Sequence, residues 1–285
     1  MVFPILSLVL SGLALLAGLL LNGYIIFVTS CRVERTASTV WFLNRAIADF
    51  LFIVCLPFRF IFILNLVRAK ILNNTVTSLH MFSSAFLLTA LSVDRCILVA
   101  RPEWGRNHRT PRLAFIIIMG IWALSVGFSL RYGDLWESLL SPASTSINVA
   151  LHEGRVKGTI VIQFLVGFLI PLALILIPTL YIVLAAKLRR NRLIQSTKPL
   201  KILLGLTATF FLYWLPYHVF SFLLISPKYP PSFLVTESNF ACVVSYINSC
   251  LNPIFYLTME EQFLSYWQCA CNPQTTENSE LEMVE

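Results

Sequence analysis

Residues 158–186 read GTIVIQFLVGFLIPLALILIPTLYIVLAA, and no side chain between Lys157 and Lys187 carries a formal charge. A run of about 20 apolar residues already crosses a bilayer core as a helix, and this one is longer and has no charged stripe to offer water. Working outward in both directions, six comparable runs appear: Phe3 to Ser30, Val40 to Leu64, Ile71 to Val99, Leu113 to Leu130, Ile202 to Ile225 and Phe233 to Met259. Backbone groups in lipid must be satisfied within the element. The runs are far longer than barrel strands and lack period-two alternation, so the expected fold is an all-α membrane protein, a bundle of seven transmembrane helices.

Composition agrees. Hydrophobic residues make up 57% of the chain and charged residues 12%, with a mean hydropathy of +0.77, leaving too few polar side chains to cover a water-soluble surface. The net charge of +7 sits between the apolar runs rather than on an aromatic-interleaved polar stretch, which argues against nucleic acid as a partner. Connections after the odd-numbered runs hold Arg32, Arg35, Arg101, Arg106, Arg109, Arg112, Lys187, Arg189, Arg190, Arg192, Lys198 and Lys201; the others hold Arg68, Lys70, Arg131, Arg155, Lys157 and Lys228. Twelve against six places the N-terminus outside and the C-terminus in the cytoplasm. The opening run is too long for a signal-peptide core and no basic stretch precedes it, so it reads as a retained span.

Between the fourth and fifth runs, roughly Arg131 to Lys157 reads as an exposed loop over the bundle. After Met259, the apolar stripe of Phe263, Leu264 and Trp267 suits a helix lying on the membrane surface, so residues 1–271 form one membrane domain in contact with lipid. The acidic remainder, 272–285, is expected to be a disordered cytoplasmic tail. The seven cysteines show no disulfide framework; Cys269 and Cys271, following the surface helix, are candidate palmitoylation sites. His80 is expected to satisfy a core hydrogen bond, and His108 and His152 to lie in loops. No histidine, cysteine or acid cluster has metal-ligand or catalytic spacing, which argues against an enzyme.

Some residues do not belong in lipid. Asp49 interrupts the second run, and Asp94 and Arg95 stand at the end of the third, where an ionised side chain costs at least a few kcal/mol unless it is paired. Pro171, Pro178, Pro216 and Pro253 each remove a helix hydrogen bond and permit a kink. Buried acids combined with kinks suit a bundle with two arrangements.

One signature falls on each run: Asn22 in LLNGYIIFV, Asp49 in LNRAIAD, Asp94-Arg95-Cys96 in LSVDRC, Trp122, Pro171, Trp214 and Pro216 in YWLPYH, and Asn252, Pro253 and Tyr256 in NSCLNPIFY. In this order the sequence resembles the rhodopsin-like (class A) G-protein-coupled receptors over nearly its whole length. DRCILVARPEWGRNHRT, FLVGFLIP, KLRRNRL and FFLYWLPYH are similar to the chemoattractant group of formyl-peptide, chemerin and prostaglandin D2 type receptors.

The resemblance implies a plasma-membrane receptor for an extracellular peptide or lipid mediator that activates a heterotrimeric G protein of the inhibitory class, with arrestin as a further partner. It gives Asp94 the role of holding Arg95 at rest, Arg95 that of facing the G protein on activation while Tyr256 swings inward, Trp214 and Pro216 that of a lever under the ligand pocket, and Asn252 and Pro253 a place in the same switch. It also implies an allosteric sodium ion at Asp49, Ser84, Asn248, Ser249 and Asn252, oxygen donors of the kind a hard cation prefers. Arg45, one helical turn before Asp49, would compete with that ion.

Other departures concern the ligand. Where the family places a basic side chain, eight positions before Pro171, this chain has Gln163; Arg59 could restore the charge, with Tyr217, His218 and Tyr246 lining the opposite wall. The family's outer disulfide is absent: its third-helix position falls at Lys70, and Arg131 to Lys157 holds no cysteine. Tyr181 follows Pro171 by ten residues where relatives have eight, so either two residues are inserted or Thr179 occupies the switch position. These losses leave a non-signalling decoy of the same fold as the alternative.

Overall fold

The computed structural model describes residues 2–31, 35–57, 67–140, 146–189, 198–224 and 244–255, and among them the secondary structure is helical throughout, with no strand. The helices are α1 (Val2–Cys31), α2 (Ala37–Val54), α3 (Val67–Ala100), α4 (Pro102–His108), α5 (Pro111–Leu140), α6 (Ser146–Phe164), α7 (Ile170–Arg189) and α8 (Lys198–Leu224). A π-turn at Leu165–Leu169 joins α6 to α7, and residues 244–255 form α9. Six spans are long and apolar enough to cross a membrane: Val9–Cys31, Ala37–Val54, Asn74–Ala100, Pro111–Arg131, Gly154–Ala185 and Leu203–Leu223. α9 lies within the seventh apolar run. Of the sites expected from sequence, Arg59, Tyr256, Cys269 and Cys271 lie outside the described residues, as do the surface helix and the tail.

The bundle is apolar outside and polar inside. Leu16, Leu20, Ile116, Ile177 and Leu212 are all more than 60% exposed, whereas Asn22, Asp49, Ser83, Ser84, Ser125, Asn248, Ser249 and Asn252 are at 0%. A soluble protein would reverse this, because water would solvate the polar groups and expel the leucines. In lipid the outer face needs only to be apolar, and packing together with interhelical hydrogen bonds must hold the helices. α3 occupies the middle, packing against α2, α5, α7 and α8, and Met81, Phe82, Ala85, Leu88 and Leu91 on it belong to the main core with Trp214.

Local chemistry sets the ends and irregularities. Thr36 caps α2 through a capping box, its hydroxyl accepting from the Thr39 amide while the Thr39 hydroxyl accepts from Thr36 N–H. Pro102 opens α4, a position that requires no amide hydrogen. Pro171 has no N–H to give the Gly167 carbonyl, and the helix slips into the π-turn that ends at Leu169. From Gln163 inward-facing residues then recur every fourth position, at Gly167, Pro171, Ile175 and Thr179. That register resolves the fifth-span ambiguity: Thr179 is 5% exposed and its hydroxyl donates to the Ile175 carbonyl, while Tyr181 is 39% exposed on the outer face.

One expectation is corrected. The stretch from Arg131 to Lys157 is not an extended loop, because α5 continues to Leu140 and α6 begins at Ser146. Its Glu, Leu, Arg and Lys residues are good helix formers, and a helix that leaves the bilayer does not have to stop there. The α4 turn between the third and fourth spans is likewise additional to the sequence reading.

Candidate functional site

Two aspartates organise the interior, and each is attended by an arginine. At the end of α3, Asp94 receives a bidentate grip from Arg109: Nε reaches Oδ1 at 2.7 Å and Nη2 reaches Oδ2 at 2.8 Å. The same Nη2 donates to Ser38 Oγ at 2.6 Å, tying the connection after α4 to the start of α2. The resemblance gave this acid to Arg95; here both of its oxygens accept from Arg109, and the Arg95 guanidinium lies 5.9 Å from the centre of the Phe42 ring. In the sequence Arg109 is one more basic residue of a connection, since nothing local reveals a partner fifteen residues back across a turn.

Asp49 lies in the second half of α2 and is fully buried. Asn252 Nδ2 donates to its Oδ2 at 2.8 Å from α9. His80 Nε2 stands 2.8 Å from Oδ1, and since a carboxylate only accepts, the ring's hydrogen on Nε2 points at it. Arg45 approaches Oδ2 with Nε at 3.6 Å, an ion pair without a hydrogen bond, while its Nη1 donates to the Ser84 carbonyl at 2.6 Å. The hydroxyls of Ser84 and Ser249 lie 3.3 and 3.2 Å from the same His80 Nε2. Three oxygens from three helices thus converge on one imidazole nitrogen. A sequence signal existed: His80 precedes Ser84 by one helical turn and must share its face.

The sodium site implied by resemblance is therefore not built for a free cation. Both carboxylate oxygens are engaged, and Ser84 and Ser249, expected as ligands, are turned on the imidazole. A sodium ion at Asp49 Oδ2 would also lie near the Arg45 guanidinium, and two like charges about 5 Å apart repel by roughly 3 kcal/mol at an effective dielectric of about 20. Asn248 is fully buried, and both of its side-chain polar atoms find no hydrogen-bond partner among the described residues.

The imidazole is also a packing element. Phe52 stacks on His80 at 4.0 Å between centroids and 4° between planes, and on its other face Tyr246 stacks at 4.0 Å and 3°. Tyr246, expected in the ligand wall, is thereby joined to the Asp49 cluster. Trp214, fully buried in α8 two residues before Pro216, lies 5.6 Å from the His80 ring and 5.6 Å from Tyr217. A chain of rings thus runs from the Asp49 cluster through Trp214 to Tyr217.

On the far side of Trp214, Gln163 Nε2 donates to Tyr217 Oη at 3.3 Å. Phe164, Phe168 and Tyr217 surround the His218 ring at 5.4, 4.9 and 5.6 Å. Gln163 and His218 are 1% and 2% exposed, yet Gln163 Oε1 and His218 Nε2 have no hydrogen-bond partner among the described residues. Buried polar atoms without partners are expensive. Elsewhere Asn22 Nδ2 bridges the Gly18 and Ser249 carbonyls at 3.0 Å each, and Trp122 Nε1 donates to Asn44 Oδ1 at 3.4 Å. These two signature residues clamp α1 to α9 and α5 to α2.

The fold and its interior polar positions define a seven-helix receptor: residues 21–256 match the family described as 7 transmembrane receptor (rhodopsin family), and the chain belongs to that family. It is a G-protein-coupled receptor, a multi-pass membrane protein and not an enzyme. Among its relatives, Chemerin-like receptor 1 of Bos taurus is 36% identical over 88% of this chain and 76% of its own length. The Homo sapiens Chemerin-like receptor 1 is 36% identical over 87% and 73%. N-formyl peptide receptor 3 of Pongo pygmaeus is 31% identical over 91% and 81%. The resemblance to the chemoattractant group holds.

Proposed function

We propose that this chain is a chemoattractant receptor of the plasma membrane that senses an extracellular peptide mediator and activates a heterotrimeric G protein of the inhibitory class. The observation that carries the reading is the ring chain from His218 and Tyr217 through Trp214 to His80, because it links buried, unsatisfied polar groups on one side to the Asp49 cluster on the other. Support for a peptide comes from relatives named for chemerin and formyl peptide. A lipid mediator fits the same apolar, aromatic wall less well, since Gln163 replaces the basic anchor a carboxylate would seek.

In this reading the N-terminus faces outside, by the excess of arginine and lysine on the other side. Arg109 holds Asp94 at rest. Ligand contact at Gln163 and His218 displaces Tyr217 and Trp214, the Pro216 kink lets α8 swing, and Arg95 turns from Phe42 to the G protein, with Asn252, Pro253 and Tyr256 rearranging on the last helix. Arrestin would meet the same face. The test is ligand-stimulated nucleotide exchange by surface-expressed receptor, challenged with chemerin-derived and formylated peptides and with prostaglandins. Robust exchange, lost in Arg95→Ala, is the expected result. Binding without exchange would instead favour a non-signalling decoy, a reading motivated by the absence of any cysteine from Arg131 to Lys157.

A further inference from the structure

A buried carboxylate in a membrane needs a positive or hydrogen-bonding partner, and the chain supplies Asp49 with more than one. Arg45, 6% exposed at its side chain, sits one turn away on the same helix; His80 comes from α3 and Asn252 from α9. The oxygens of Asp49, Ser84 and Ser249 surround His80 Nε2 at 2.8, 3.3 and 3.2 Å, the convergence of donors from three helices that a small cation would otherwise command. Arg45 meanwhile is anchored to the Ser84 carbonyl at 2.6 Å, so its charge cannot swing away from the cluster without losing that bond.

We propose that Arg45 and His80 together serve as a tethered cation for Asp49, so that this receptor carries its own counter-charge and takes no sodium ion in the bundle. The two side chains divide the work. His80 fills the space and collects the oxygens, held flat by the Phe52 ring at 4.0 Å. Arg45 supplies the charge, and its guanidinium repels any mobile cation drawn to the same carboxylate. A covalently attached counter-ion is present at all salt concentrations. The arrangement of α2, α3 and α9 around Asp49 is then indifferent to sodium.

The test uses purified full-length receptor without ligand or G protein, so it is independent of the proposed function. Its thermal unfolding midpoint is followed by tryptophan fluorescence in sodium chloride and in choline chloride of equal ionic strength. The unsubstituted chain is expected to unfold at the same midpoint in both. Arg45→Leu/His80→Asn, which removes the charge and opens the space, is expected to gain a saturable sodium-specific rise of several degrees, the size produced by a ligand at about 100 times its Kd. A sodium-specific rise in the unsubstituted chain overturns the proposal. So does a folded double variant that ignores sodium, because the exclusion would then not lie in these side chains. If the double variant does not fold, His80→Asn and Arg45→Leu are measured singly: a sodium-specific rise in either supports the proposal, and none in both overturns it.

Discussion

The two aspartate–arginine pairs are the same chemistry under opposite constraints. Asp94 and Arg109 come from different elements, and each can orient freely, so the guanidinium presents two parallel hydrogen bonds at 2.7 and 2.8 Å. Their side chains are 10% and 18% exposed, close enough to the bundle's end that the partners can part and be solvated. Asp49 and Arg45 are fixed one turn apart on a single helix, which holds the guanidinium at 3.6 Å from Oδ2 and leaves Arg45 Nε and Nη2 without a hydrogen bond among the described residues. The carboxylate there depends on His80 and Asn252 instead. The rim pair is a good bond that can be opened; the buried pair is an imperfect one that cannot be solvated if broken.

That contrast can be broken most forcefully at Asp49. Asp49→Ala strips Arg45, His80 and Asn252 of their common acceptor, and a loss of about 3–5 kcal/mol is expected, read as a large fall in the unfolding midpoint of the purified receptor. A fall no greater than that of a lipid-facing substitution such as Leu212→Ala would show the cluster to be ornamental to stability. At the rim the effect belongs to activity: Arg109→Ala frees Asp94, and unstimulated nucleotide exchange should rise roughly tenfold, corresponding to about 1.4 kcal/mol in the resting equilibrium. Unchanged basal exchange would mean that Arg109 only tethers its loop.

Smaller effects sharpen the comparison. Arg45→Leu should cost less than Asp49→Ala, about 1–3 kcal/mol in the same unfolding measurement, because Asp49 keeps its hydrogen bonds from His80 and Asn252 but loses its buried counter-charge. If it costs as much as Asp49→Ala, the 3.6 Å pair is stronger than its geometry implies. Ser38→Ala removes a single neutral acceptor from Arg109 and should raise basal exchange only about twofold, measured in the same assay.

The fold and most signature positions were legible from the sequence. Hydropathy and helix length gave the spans, since lipid permits few alternatives, and motif order placed Asp94, Trp214 and Asn252. The extension of α5 to Leu140 was not legible, because amphipathic helix and exposed loop have similar compositions once the chain leaves the bilayer. Thr179 and Tyr181 were ambiguous because spacing from Pro171 does not say which of them faces the bundle; the helix turns Thr179 inward and leaves Tyr181 on the outer face.

By itself, the sequence determined that this protein is a seven-helix receptor of the rhodopsin family, with polar groups interrupting its apolar runs and most of its basic residues in the connections between them. Those properties follow from the one-dimensional order of apolar and charged residues, to which a bilayer responds directly. Only the tertiary structure decided that Arg109 holds Asp94, that His80 takes up the oxygens around Asp49, and that Tyr246 belongs to that cluster. Such pairings depend on the rotation and depth of helices far apart in the chain, and a hydrogen bond is decided by displacements of less than an ångström.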